Sequence, residues 1–244
     1  FKEPNLHIVF KNNNSLENFE EEIELTSKVS GFLKKRKKVQ DILSYKKGSW
    51  WVQDFSSAFP LINIDKDLIK KKCIDICAAP GGKSFQVLSK NKNLVLNDKS
   101  IKRISLLKTN LRRLKYNPII TNYDFKDLDE NKKYDFIILD APCSSTGTIR
   151  KNPEIFFKKK SPDFEKLIEL QKKMLDKASI ILKNNGVILY MVCSFLKIET
   201  TDQIENFLKR NNIFYLKNFY LNKENLYYKK ELEKKYMLTI PSQI

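Results

Sequence analysis

The chain holds one histidine, His7, and four cysteines among its 244 residues, and these scarcities remove whole classes of chemistry. Zinc sites are assembled from several histidine, cysteine or carboxylate ligands. Cys73 and Cys77 have no second close cysteine pair to complete a site, and His7 stands far from them in sequence, so no metal is expected. Cys73, Cys77, Cys143 and Cys193 are also too few and too scattered for the disulfide framework of a small secreted fold, which predicts reduced thiols in an intracellular protein. Glycine is sparse as well, at six residues. Neither the dinucleotide-binding GxGxxG pattern nor the P-loop spacing occurs, which disfavours NAD and ATP. No apolar run approaches the roughly 18 residues that a transmembrane helix requires. The first residue is Phe1 rather than Met, so the sequence reads as a fragment or a trimmed chain, with any leader lying upstream.

What is abundant is positive charge. Lys and Arg number 46 against 29 Asp and Glu, a net charge of +17. A surface of that sign releases counterions when it binds a polyanion, so a nucleic acid is the expected partner. The competing reading is a compositional bias that decorates every surface with solvated lysine. Hydrophobic residues make up 41%, enough at this length for one large core and a small appendage.

Residues 1–48 read as a partial N-terminal α/β subdomain with a basic linker. Leu6–Phe10 has the look of a short strand, Ser15 of the cap of a following helix, and Lys34-Lys-Arg-Lys-Lys38 of a solvated link or an RNA contact. The adjacent Trp50 and Trp51 suit the packing of this appendage onto the remainder. Residues 49–244 read as a second, catalytic domain. From Cys73 onward, strands and helices alternate: Cys73–Cys77, Leu94–Asp98, Ile119–Asn122, Phe136–Leu139 and Val187–Val192 are strands. A helix from about Lys99 to Lys115 sets Ile101, Ile104, Leu107, Leu111 and Leu114 on one face. Its other face holds Lys102, Arg103, Lys108, Arg112 and Arg113. A second helix near residues 165–183 is closed by Asn184-Asn185-Gly186, with the glycine suited to a left-handed cap. This alternation predicts an α/β fold, a doubly wound and mostly parallel sheet with helices on both faces.

In such sheets, ligands sit beyond the carboxyl ends of the strands. The stretch Tyr134-Asp-Phe-Ile-Ile-Leu-Asp140-Ala-Pro142-Cys143 delivers a carboxylate and a thiol to such an end, because Pro142 has no N–H for the ladder. Pro80-Gly81-Gly82 bares the backbone where the first strand turns into a helix. Asp98, seventeen positions after Gly81, ends the next strand where α/β folds grip ribose hydroxyls. Asp124, ending the third, could accept a hydrogen bond from an adenine amino group. Three successive polar strand ends suggest an adenosine-containing cofactor. Each aspartate would equally serve as a helix or turn cap. Cys193 ends the fifth strand, and if the fourth and fifth strands are neighbours its thiol converges with that of Cys143. A free thiol with a pKa of about 8.5 is only a few per cent ionised at pH 7, so a nucleophilic cysteine needs a depressed pKa or a base. Lys83 is a plausible cation for that purpose.

Pro80-Gly-Gly-Lys83, Asp140-Ala-Pro-Cys-Ser-Ser-Thr-Gly147 with Arg150, Cys193-Ser194 and the entering Trp51-Val-Gln-Asp54 together resemble the signature of the Sun/NSUN-type (RsmB/NOP2-like) RNA 5-methylcytosine methyltransferases. The likeness runs over roughly residues 50–210, with the segments in the family's order. It implies a Rossmann-like class I methyltransferase domain, S-adenosyl-L-methionine as methyl donor and a cytosine in rRNA or tRNA as acceptor. It also implies that Cys77, Ala78, Ala79, Pro80, Gly81, Gly82 and Lys83 hold the cofactor, with Asp98 on the ribose, Arg103 close by and Asp124 at the adenine. Asp140 would stand between the methionine end and the base, Cys193 would be the nucleophile and Cys143 would assist product release. Departures are Val192 where the family has Thr, Thr200 where an Asn follows the acidic residue, and a closing strand hairpin cut short after Tyr236–Pro241, which suggests a truncated C-terminal end. The expected state is a monomer bound to RNA, without membrane or metal, in cytoplasm, nucleus, nucleolus or an organelle. An alternative is a ribosome-assembly factor that binds RNA on the same fold, and a further one moves the nucleophile to Cys143.

Overall fold

The computed structural model describes residues 5–157 and 162–217. The expected hairpin at Tyr236–Pro241 lies outside the described residues. Two sheets organise the chain, one of four antiparallel strands and one of five parallel strands.

The antiparallel sheet contains β1 (His7–Phe10), β2 (Ile23–Ser27), β3 (Ser30–Leu33) and β4 (Trp50–Val52), in the order β2-β3-β1-β4. A short α1 (Asn13–Glu17) follows β1. Its cap is Asn12, whose side chain accepts the Ser15 N–H at 2.8 Å, so the helix begins before the expected Ser15 cap. Alternation along β4 settles the role of the tryptophans. Trp50 packs into the appendage core with Ile8, Phe10 and Leu33, while Trp51 joins the main core beside Phe85. Neighbouring residues on a strand face opposite ways, so one dipeptide joins two cores. Lys34 to Lys38 are exposed beyond β3, and Lys37 pairs with Glu21 at 2.7 Å. The lone histidine is buried and spent internally: Nδ1 meets the Gln53 carbonyl at 2.9 Å and Nε2 the Thr26 hydroxyl at 2.8 Å.

After α2 (Phe55–Ile62) and α3 (Lys66–Ile69), the parallel sheet begins with β5 (Cys73–Asp75). It continues through α4 (Gly82–Leu88), β6 (Leu94–Asn97), α5 (Ile101–Arg113) and β7 (Ile119–Thr121). Then come β8 (Tyr134–Asp140), α6 (Phe164–Ile180), β9 (Leu182–Met191) and α7 (Thr201–Arg210). The order is β7-β6-β5-β8-β9 with every pair parallel, so the winding reverses between β5 and β8. Phe136, Ile137, Ile138 and Leu139 of β8 are all 0% exposed, as both faces are covered. Phe136 and Ile138 meet Phe85, Leu107 and Leu111 from α4 and α5, whereas Ile137 and Leu139 meet Met174, Ala178 and Phe207 from α6 and α7. Each such side chain contributes about 1.5–3 kcal/mol of burial. The central strand is thus packed on both faces, and its end is held in place by that packing.

Three local expectations are corrected. Ile101 is 74% exposed rather than part of the buried stripe of α5, which consists of Ile104, Leu107, Leu111 and Leu114. Arg113, assigned to the solvent face, is partly buried: its guanidinium donates to the carbonyls of Tyr45 at 3.1 Å and Trp50 at 3.0 Å. The left-handed residue after α6 is Asn185, with φ of 61°, and not Gly186. Asparagine tolerates that conformation, and the irregular pairing of β8 with the start of β9 lies nearby.

Candidate active site

The first polar loop leaves β5 at the switch point of the sheet. Gly81 takes φ of +119°, and a Cβ there would stand 2.0 Å from the Phe85 ring, so the turn requires glycine. Asp98 is 2% exposed and shapes the loop from below. Its Oδ2 accepts the Ala79 N–H at 3.2 Å and lies 3.3 Å from Arg103 Nη1, while Oδ1 accepts the Ser100 N–H at 3.0 Å. The Arg103 guanidinium also donates to the Ala79 carbonyl. Asp98 and Arg103 are therefore brought to the loop that holds Ala78, Ala79 and Pro80. Asp124 is placed otherwise: it begins the turn after β7, and its carboxylate accepts the Lys126 N–H at 3.2 Å.

Asp75 is a site residue that sequence reasoning passed over. It is the last residue of β5 and is 1% exposed. Ser84 Oγ donates to its Oδ2 at 2.6 Å, while Oδ1 has no hydrogen bond of ordinary geometry. Burial pushes its pKa up to about 7; the nearby Asp140 adds to the rise, and Ser84 and Lys83 oppose it. An orphaned carboxylate oxygen at the foot of a glycine-bared cradle fits a ligand carrying an ammonium group. The available signal was an acidic residue inside an otherwise apolar strand.

Beyond β8 the two thiols meet. Cys143 Sγ and Cys193 Sγ are 3.1 Å apart, and Cys193 Sγ is 3.3 Å from Ser145 Oγ. Adjacent parallel strands, β8 and β9, carry them to one rim, and the Gly147 N–H donates to the Cys193 carbonyl at 3.0 Å, tying the loops together. Lys83 Nζ donates to Asp140 Oδ2 at 2.7 Å beside them. The Cys193 pKa is lowered, first by the hydrogen bond it shares with Cys143, whose S–H would donate to a Cys193 thiolate; burial opposes this, Ser145 assists, Asp140 opposes and Lys83 assists. The Cys143 thiol is pushed up by the same hydrogen bond and by burial. Cys143 and Ser145 touch the Cys193 sulfur directly, and the Lys83 charge acts in the same direction. Cys77 is different. Burial, reinforced by Asp75, Asp98 and Asp140, pushes its thiol up and keeps it protonated.

Pro80, Lys83, Asp140, Gly147, Arg150 and Cys193 line part of a long open hollow that continues along β9. Among the described residues, no group of three His, Cys, Asp or Glu side chains could hold a metal ion, and no helix is long and apolar enough to cross a membrane.

A parallel sheet in this order, with a glycine-turned loop at the switch point and polar groups on successive strand ends, is the fold of the class I S-adenosylmethionine-dependent methyltransferases. The family described as 16S rRNA methyltransferase RsmB/F matches residues 66–243, and the chain belongs to it. Among curated relatives, the ribosomal RNA small subunit methyltransferase B of Photorhabdus laumondii is 37% identical over 173 residues, covering 69% of this chain and 40% of that protein. The protein of the same name from Shewanella oneidensis is 41% identical over 142 residues, 56% of this chain and 33% of its own length. The chain thus spans about two fifths or less of these relatives. Of solved structures, a methyltransferase homolog protein from Pyrococcus horikoshii superposes with a TM-score of 0.70 at 21% identity, covering 86% of this chain and 71% of that one. NSun6 from Pyrococcus horikoshii with SFG gives 0.61 at 21% identity, covering 75% and 49%. At that identity these likenesses bear on fold alone.

Proposed function

We propose that this domain methylates C5 of an unpaired cytosine in ribosomal RNA, with Cys193 as nucleophile. The observation that carries the reading is the pair of thiols in contact beside the Lys83–Asp140 ion pair. Cytosine C5 is a weak nucleophile. Addition of the Cys193 thiolate at C6 gives it enamine character, and a proton delivered to N3 stabilises the adduct. Asp140 is the group to deliver it, drawing on the ammonium of Lys83, which already donates to it at 2.7 Å. Asp75 Oδ1, Ala79, Gly81 and Gly82 would hold the donor, and Asp98 would reach its ribose by sharing the oxygen now facing Arg103. Bound there, S-adenosylmethionine supplies an electrophilic methyl group. Once C5 is methylated, a base must remove the C5 proton so that the C6–S bond can break and the electrons return to the ring. Cys143, touching the departing sulfur, is placed to take part in that release. The base has to leave its stack to reach such a rim.

An assembly scaffold would have no use for the thiol contact, and the two readings separate in one experiment. Purified protein is incubated with substrate RNA and donor, and both methylcytosine and denaturant-resistant protein–RNA adducts are measured. Cys193→Ala is expected to lose both, whereas Cys143→Ala forms adduct that accumulates while turnover falls at least about a hundredfold. Adduct surviving in Cys193→Ala and vanishing in Cys143→Ala would exchange the two roles. The matched curated relatives come from bacteria, and nothing in them supports a nucleolar address.

A further inference from the structure

Glu199 is 0% exposed, and the chemistry above does not use it. A buried carboxylate is costly unless donors surround it. Its donors are neutral and come from two other elements. Oε1 accepts the Ser144 N–H at 2.9 Å and Gln171 Nε2 at 3.0 Å, and Oε2 accepts the Ser144 hydroxyl. Gln171, also 0% exposed, uses the same Nε2 to donate to the Pro142 carbonyl at 2.9 Å. Cys143 is thereby held from both sides, through the carbonyl before it and the N–H after it. Glu199 is in turn anchored to β9, the strand that delivers Cys193, because Tyr190 OH donates to its carbonyl at 2.9 Å. A side link between Thr146 Oγ1 and Ser194 Oγ at 3.0 Å runs parallel to this path.

We propose that Glu199, braced by Gln171, is a positioning residue that sets the Cys143 sulfur against Cys193 and so governs release of the methylated base. The proposal rests on the two-cysteine reading of the site. Removal of the Glu199 side chain strands a backbone N–H and an amide in a buried place, and the loop moves to satisfy them. Glutamine replaces it without that loss. Its carbonyl oxygen takes the place of Oε1, and its amide donates to the Ser144 hydroxyl, which accepts as readily as it donates.

Two measurements test the clamp. In the first, without RNA, the protein is equilibrated with glutathione. Cys143 and Cys193 thiols plus one oxidised glutathione give a disulfide and two reduced glutathione molecules, and peptide mass spectrometry reads the equilibrium constant. Glu199→Ala and Gln171→Ala are expected to lower it about tenfold or more, while Glu199→Gln stays within about threefold of the native value. In the second, with RNA and donor, Glu199→Ala alkylates at Cys193 several-fold more slowly at pH 7, as loss of the Cys143 contact requires, and accumulates adduct as turnover falls, whereas Glu199→Gln matches the native protein in both. An unchanged glutathione equilibrium in Glu199→Ala, or a loss in Glu199→Gln as large as in Glu199→Ala, overturns the clamp. Should the native protein form no adduct with RNA, the functional reading fails, while the glutathione measurement still decides the clamp.

Discussion

Cys193 illustrates how a single sulfur is tuned by its neighbours. It stands exposed at a strand end in contact with a second thiol and with Ser145, and these contacts and the Lys83 charge lower its pKa. Lowering a thiol pKa raises the thiolate fraction at neutral pH, and removing the cause reverses this. In Cys143→Ala the midpoint of the Cys193 alkylation–pH profile is therefore expected to rise toward the ordinary value of about 8.5, slowing alkylation at pH 7 several-fold. Lys83→Met should raise it too, because it removes a positive charge and leaves the Asp140 carboxylate without its partner. Iodoacetamide kinetics read both, and an unmoved midpoint in Cys143→Ala would remove the thiol–thiol hydrogen bond from the account. The cysteines themselves were legible, since each follows an apolar strand. Their mutual tuning was not, because a sequence shows a cation but not that two sulfurs fifty residues apart stand in contact.

The buried stripe of α5 at Ile104, Leu107, Leu111 and Leu114 could be read from helical spacing, and β8 from its unbroken apolar run. The two ends of α5 could not. Ile101 is the first residue of the helix and is exposed, and Arg113 meets the antiparallel sheet instead. There the guanidinium bridges the carbonyls of Tyr45 and Trp50 and lies over both rings, 4.6 and 5.5 Å from their centroids. Gly48 closes against the same place; a Cβ on it would stand 1.9 Å from the Arg113 carbonyl. Arg113 is thus a pin between the appendage and the parallel-sheet domain. Arg113→Ala is expected to destabilise the protein by about 2–3 kcal/mol, from two charge-assisted hydrogen bonds and the ring contacts. Arg113→Lys should recover only part, since an ammonium lacks the planar fork. Urea unfolding measures both. A change below about 0.5 kcal/mol in Arg113→Ala would mean that the other contacts across the joint, Trp51 against Phe85 among them, hold it without the guanidinium.

At the scale of the molecule, a net charge of +17 overstates what a polyanion meets. Lys37, Lys83, Lys177 and Lys183 are each within 3 Å of a carboxylate, and Arg113 is occupied at the joint. Yet α5 carries no acidic residue, and its exposed Lys102, Lys108 and Arg112, with Lys115 just beyond its end, run from the loop at Asp98 toward the appendage. Lysines spread by compositional bias would sit among acidic partners as readily as apart from them. If the basic surface serves RNA, affinity for single-stranded RNA should fall with added salt by about 0.7 in log K per unit of log salt for each phosphate neutralised. Even four phosphates would give a slope near −3, well short of what the full net charge would allow. Titration of a labelled RNA at several potassium chloride concentrations gives that slope directly. A response flatter than about −1 would leave the charge as decoration and detach RNA from the two-cysteine site.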